Sequence, residues 1–282
     1  MALQPETIGA EPVIIIKPRR GWVALDLRAL WSYRELLYFL AWRDIKVRYK
    51  QTALGIAWAI IQPLSLMMAF SVFFGRLAKV PSDGLPYPLF TLSALLPWQL
   101  FAYALAQSSN SLVANDRLIS KVYFPRLLIP LSAVLSGMID FSIAFTMLLL
   151  LMGFYGISAS GAFWTIPLFV LLAIITALAV GLWLCALNVR YRDVRYTIPF
   201  IAQFWFFVSP VAYPSSLVPE GWRWFYAINP MTGVIEGFRW ALLDKAQRPG
   251  SEFLVSVAIV SVLFIGGLYY FRRMEKSFAD VL

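Results

Sequence analysis

The sequence contains no histidine. Histidine is the commonest general base near neutral pH and the commonest metal ligand, so both roles lose their usual agent. The only cysteine, Cys185, excludes an internal disulfide and lies in an apolar run, where an inert lipid- or core-facing thiol is expected. Charged residues make up only 14% of the chain, well below the usual share in a soluble domain. The sequence has no G-x-x-x-x-G-K-[ST] phosphate loop, no H-E-x-x-H, no C-x-x-C and no close pair of carboxylates in an apolar run. An intramembrane glycosyl- or acyltransferase would need a clustered nucleophile or base, and none is seen. The chain is therefore not read as an enzyme, and no cofactor or metal is expected.

Apolar residues are what the chain has in quantity: 60% is hydrophobic, and mean hydropathy is +0.72. Apolar runs near twenty residues recur, each long enough as a helix to cross a hydrocarbon core about 30 Å thick. The expectation is an all-α polytopic membrane protein. It has six transmembrane helices, an N-terminal amphipathic interface helix and short re-entrant helices before the last span. The spans are placed at 54–74, 88–113, 127–154, 163–187, 198–213 and 253–271. They form one transmembrane domain between tails at 1–53 and 272–282. Pro63 interrupts the first span, implying a kink, and the second contains Pro97 and ends in a polar patch at 107–111. The fifth span is short, since about sixteen residues reach only about 24 Å. Residues 214–252 carry Pro214, Pro219 and Pro230 with Trp222, Trp224, Tyr226 and Trp240, which suits short helices that enter and leave one leaflet.

Lysine and arginine, 24 in all, fall mostly before residue 53, in connectors at 114–126 and 188–196, and after residue 271. Six spans put all four segments on one side, and the positive-inside rule makes that side the cytoplasm, with both termini there. The net charge of +9 is thus a topology signal, and a nucleic-acid partner is dropped. The first thirty residues hold an apolar cluster at 13–16 too short for a signal-peptide core, so this tail is expected to be retained.

The stretch RDIKVRYKQTALG at 43–55 meets the first span. On a helix Trp42, Ile45 and Tyr49 share one stripe, and Arg43, Lys46 and Lys50 another. Such a helix lies on the membrane surface, its basic side towards anionic headgroups. A capping box at Ser32 and Glu35 would start it. The two basic connectors carry one acid each, Asp116 and Asp193, and read as contact elements for a cytoplasmic partner. Asp140 is the only acid deep in a span. Hydrogen bonding to Ser136 or Ser142 is preferred over a coupling or gating role. Rings at Phe70, Phe73 and Phe74 and at 204–207 suit an interfacial belt and lipid contact, with a minority lining a path.

Three segments then carry a resemblance. RDIKVRYKQTALGIAWAIIQPL at 43–64, NDRLISKVYFPRLLIPLS at 115–132 and AINPMTGVIEGFRWALL at 227–243 resemble motifs of type-2 ABC transporter permeases of the polysaccharide and polyol-phosphate export branch, O-antigen exporters in particular. The resemblance implies a homodimer of this chain in a bacterial inner membrane with two copies of a separate ABC ATPase subunit. The substrate is implied to be a lipid-linked polysaccharide. A teichoic-acid or capsule-type polymer, or another amphipathic substrate, is the alternative. It implies that the helix at 33–50, with Tyr33, Trp42, Arg43, Asp44, Lys46, Arg48 and Lys50, meets the ATPase. The coupling element is implied to be Asn115, Asp116, Arg117, Leu118, Ile119, Ser120 and Lys121. The implied glycan path runs between protomers along spans one, two and five. Phe70, Phe74, Phe101, Tyr103, Phe204, Trp205 and Phe207 are its contacts.

Overall fold

The structure, a computed structural model, describes residues 27–50, 55, 57–243, 248–275 and 278. The expected tail at 1–26, Leu54 and Ile56 of the first span, and most of the carboxyl tail lie outside the described residues. Among the described residues the fold is all-helical, with one isolated bridge between Ala159 and Leu243 in place of strands. The α-helices are α1 (Leu27–Ser32), α2 (Arg34–Lys50), α3 (Ala57–Phe70), α4 (Tyr87–Ala114), α5 (Asp116–Lys121), α6 (Leu128–Ser136), α7 (Met138–Phe154), α8 (Ile166–Arg190), α9 (Val194–Val208), α10 (Arg223–Tyr226), α11 (Pro230–Leu242) and α12 (Glu252–Met274).

Among the described residues, five helical stretches are long and apolar enough to cross a membrane: Ala57–Leu77, Tyr87–Ala114, Leu128–Phe154, Phe163–Arg190 and Glu252–Met274. The 15-residue α9 is not among them. The boundaries depart from expectation in physically legible ways. The first span runs on past Phe70 as a π-helical turn, Ser71–Leu77. Tyr87 packs so closely on Gly75 there that a Cβ would lie 2.8 Å from its ring. The third span is two helices meeting at Gly137, where a Cβ would sit 2.5 Å from the Tyr103 ring. The interface helix does not start at Ser32. Helix α1 begins at Leu27, and Tyr33 alone separates it from α2.

The second basic connector needs a larger correction. Residues 188–196 are mostly helical, and only three residues separate α8 from α9. Asn188 belongs to α8 and is buried. It donates to the Ser109 carbonyl (3.1 Å) and to Asn110 Oδ1 (3.0 Å). The polar patch at 107–111 therefore joins helices, as hydrogen-bonding side chains do where no water is available.

Helix α4 is the axis of the bundle, buried along most of its length and packed on α3, α6, α7, α8, α9 and α11. Its seam with α8 is built from small residues, among them Ala104 and Ser108 against Ala177 and Gly181. A Cβ on Gly181 would come within 2.2 Å of Ser108 Oγ. In lipid, where burial of apolar area gives no net drive, such close approach supplies the dispersion energy that holds helices together. Cys185 is fully buried in the same seam. At one end of α4, helix α11 is almost wholly buried. Its Arg239 donates to the carbonyls of Phe90 (3.3 Å) and Val211 (3.1 Å) and lies 3.7 Å over the Phe90 ring. At the other end sit α5 and α2.

Candidate functional site

Of the apolar stripe on helix α2, Ile45 and Tyr49 are half-buried and Trp42 is exposed. Leu40 and Ala41 are its buried residues, and it packs against α6. Trp42 stays exposed, as do Tyr33, Arg43, Lys46 and Lys50. Ile45, Arg48 and Tyr49 follow Leu40 and Ala41 round to the inner side. Leu40 enters a cluster with Leu112, Ile119, Phe124 and Leu127.

Ile119 of α5 is buried in the same cluster, so α2 and α5 share one hydrophobic footing. The remaining side chains of α5 turn outward: Asp116, Arg117, Ser120 and Lys121 are exposed, and Leu118 is half-buried. A polar link ties the two helices. Arg43 donates to Asn115 Oδ1 (2.8 Å) and, from Nε and a terminal nitrogen, to Asp44 Oδ1 (3.0 and 2.8 Å). The implied interface helix and coupling element thus form one surface at one end of the bundle.

Asp140 requires the second correction. Neither expected serine holds it. Ser136 pairs with the Tyr103 hydroxyl (2.8 Å), and Ser142 donates to the Met138 carbonyl (2.7 Å). Asp140 instead forms an ion pair with Arg48 (2.5 Å) and accepts the Tyr49 hydroxyl, both from the last turn of α2. Burial, then the Asp140 carboxylate, push the Tyr49 phenol above its ordinary pKa and keep it a donor. The Arg48 guanidinium also stacks 4.4 Å over the Tyr103 ring.

These groups rim a cavity of about 600 Å³ between α3, α4, α7 and α9. Pro63, on its wall, cannot donate to the Ala59 carbonyl one turn back, and Ala59 lines the cavity too. The cavity places some implied path residues together and not others. Phe70 and Tyr103 line it. Phe74 stacks on Phe70 at 5.2 Å, just beyond. Phe101 is fully buried beneath Trp205, 4.9 Å away, and Trp205 donates its ring N–H to Asn229 Oδ1 (2.6 Å). Phe204 and Phe207 are exposed on the far side of α9, while Phe206 faces the cavity. Sequence reasoning passed over Gln62, Gln99 and Gln203, which also line it. The signal was available: each is a lone amide inside an apolar run.

Among proteins of known role, the chain is 29% identical over 250 residues to an O-antigen export system permease protein of Klebsiella pneumoniae, covering 88% of this chain and 95% of that one. It is 29% identical over 258 residues to the corresponding protein of Myxococcus xanthus, covering 90% and 98%. A polysialic acid transport protein of Escherichia coli is 24% identical over 243 residues, covering 83% and 91%. The ABC-2 type transporter family matches residues 35–243, which take in the cavity, α5 and α11 alike, and the chain belongs to that family.

Proposed function

We propose that this chain is the transmembrane subunit of an ATP-driven exporter that moves a lipid-linked, O-antigen-like polysaccharide across the bacterial cytoplasmic membrane. Two copies form the pore, and each binds one copy of a separate ABC ATPase. The observation that carries this reading is α5, a short helix with its polar side chains exposed at the end of the most buried span. The phosphate loop missing from the sequence puts ATP hydrolysis on that partner. The positive-inside rule puts α5 and both termini in the cytoplasm. Helix α9 serves as a sixth, short span, and α10 and α11 as a re-entrant pair on the outer side. The sparsely buried α3 and the exposed aromatic face of α9 border the path between protomers.

ATP closes the ATPase dimer, α5 and α2 move with it, and the spans part to open a continuous channel for the polymer. A polymer far longer than the membrane is thick does not fit in a closed central cavity. A capsule- or teichoic-type polymer is the second reading, favoured by the likeness to the polysialic acid transport protein. The test is ATP-dependent export of lipid-linked glycan by the reconstituted permease and ATPase. Asp116→Ala with Arg117→Ala should abolish export while the complex stays membrane-inserted. Normal export by that variant removes α5 from the coupling role.

A further inference from the structure

We propose that the cavity between α3, α4, α7 and α9 is a subsite for an uncharged, hydroxyl-rich glycan segment, gripped by Gln62, Gln99 and Gln203. This inference rests on the export reading and narrows its substrate class.

Three amides from three different helices meet on this one cavity. An amide left without partners in an apolar medium costs several kcal/mol. Placing three of them on a common wall therefore implies water or a polar ligand, since lipid chains satisfy none of them. Gln99 shows the demand directly: its Nε2 is buried and has no hydrogen-bond partner among the described residues. An amide carries both donors and acceptors, as does a sugar hydroxyl, so one side chain can serve successive units of either polarity. The ring of Phe70 on the same wall offers an apolar plane to the C–H face of a sugar.

Charge decides between neutral and acidic polymers. The ionised side chains on the cavity wall are Arg48 and Asp140, which pair at 2.5 Å and leave the wall without net charge, while Arg48 keeps one buried terminal nitrogen that has no hydrogen-bond partner among the described residues. An acidic polymer requires cations not already paired, because each carboxylate or phosphate that enters must exchange its water for a charged donor. This wall has a single cation, already set against Asp140, and so no net positive charge. A neutral chain needs only the amides and rings.

The test uses the full permease–ATPase complex in lipid nanodiscs. Gln62→Cys and Gln203→Cys are made singly, the buried Cys185 giving no background, and are treated with a water-soluble maleimide. Both cysteines should label. A neutral probe, maltohexaose, should slow labelling at least threefold, and an acidic probe of equal length, hexagalacturonate, should not. Absence of labelling, protection by neither sugar, or protection by the acidic probe overturns the proposal. A second variant guards against misfolding. Gln99→Leu should cut export about tenfold, Gln99→Asn should recover most of it, and unchanged export in Gln99→Leu also overturns the proposal. If the unaltered complex exports no glycan, the export reading fails instead, and the labelling result still decides the subsite.

Discussion

Asp140 carries the sharpest lesson at the scale of single residues. A solitary carboxylate in a span announces a partner, and its isolation was plain in the sequence. Its partner was not, because Arg48 lies far away along the chain and reaches it only once α2 has packed against α6. Reading only the neighbouring turns pointed to serines that were already engaged. Both members of the pair are partly exposed, so their worth to stability is modest. Asp140→Asn should cost about 1 kcal/mol, read as a lowered Tm in detergent. The exchange Arg48→Asp with Asp140→Arg should regain more of the lost export than either single variant retains, which a reconstituted export assay reports. Gly181 is a second case, with the opposite visibility. Nothing in its surroundings marks it, yet Gly181→Ala should destabilise the fold by about 1–3 kcal/mol, because the new methyl group meets Ser108 Oγ. Thermal unfolding of Gly181→Ala, alone and with Ser108→Ala, checks this, and the double variant should recover part of the loss.

At the scale of elements, the break at 114–126 was legible as a short charged stretch between two apolar runs, whereas the helix within it, α5, was not. Helix α2 was legible in extent and not in orientation. Its apolar and basic stripes were both visible, but the buried Leu40 lies on neither, and what selects it is a cluster that includes residues over seventy positions away. The connector at 188–196 was misjudged for a related reason: Asn188 and Arg190 look like loop residues until α4 offers Asn188 its partners. The Arg43–Asn115 hydrogen bond makes α2 and α5 answer to each other. Arg43→Ala should leave the ATPase bound and hydrolysing ATP while lowering export several-fold, and paired ATPase and export measurements separate the two effects.

At the scale of the whole molecule, hydropathy alone located the five long spans, because a stretch of twenty apolar residues has little choice but to be helical in lipid. It did not reveal how unequally they are buried, with α4 enclosed and the first span mostly uncovered. Burial depends on which helix carries the small residues that permit close approach, and that pattern is set between helices rather than within one. The role of α9 has a direct test. Cysteines at Asp193, which precedes α9, and at Ser215, seven residues past its end, should react with an impermeant maleimide from opposite sides of a sealed vesicle if α9 crosses the membrane. Reaction from one side would make it a surface hairpin.

The 28 residues of α4 form a rod about 42 Å long. One tip is continuous through Asn115 with α5, and the other is clasped by Arg239 of α11. The helix stays continuous through Pro97. In the proposed export cycle, one helix therefore links the α5 end, where the ATPase would act, to the α11 end, and movement at either is felt at the other.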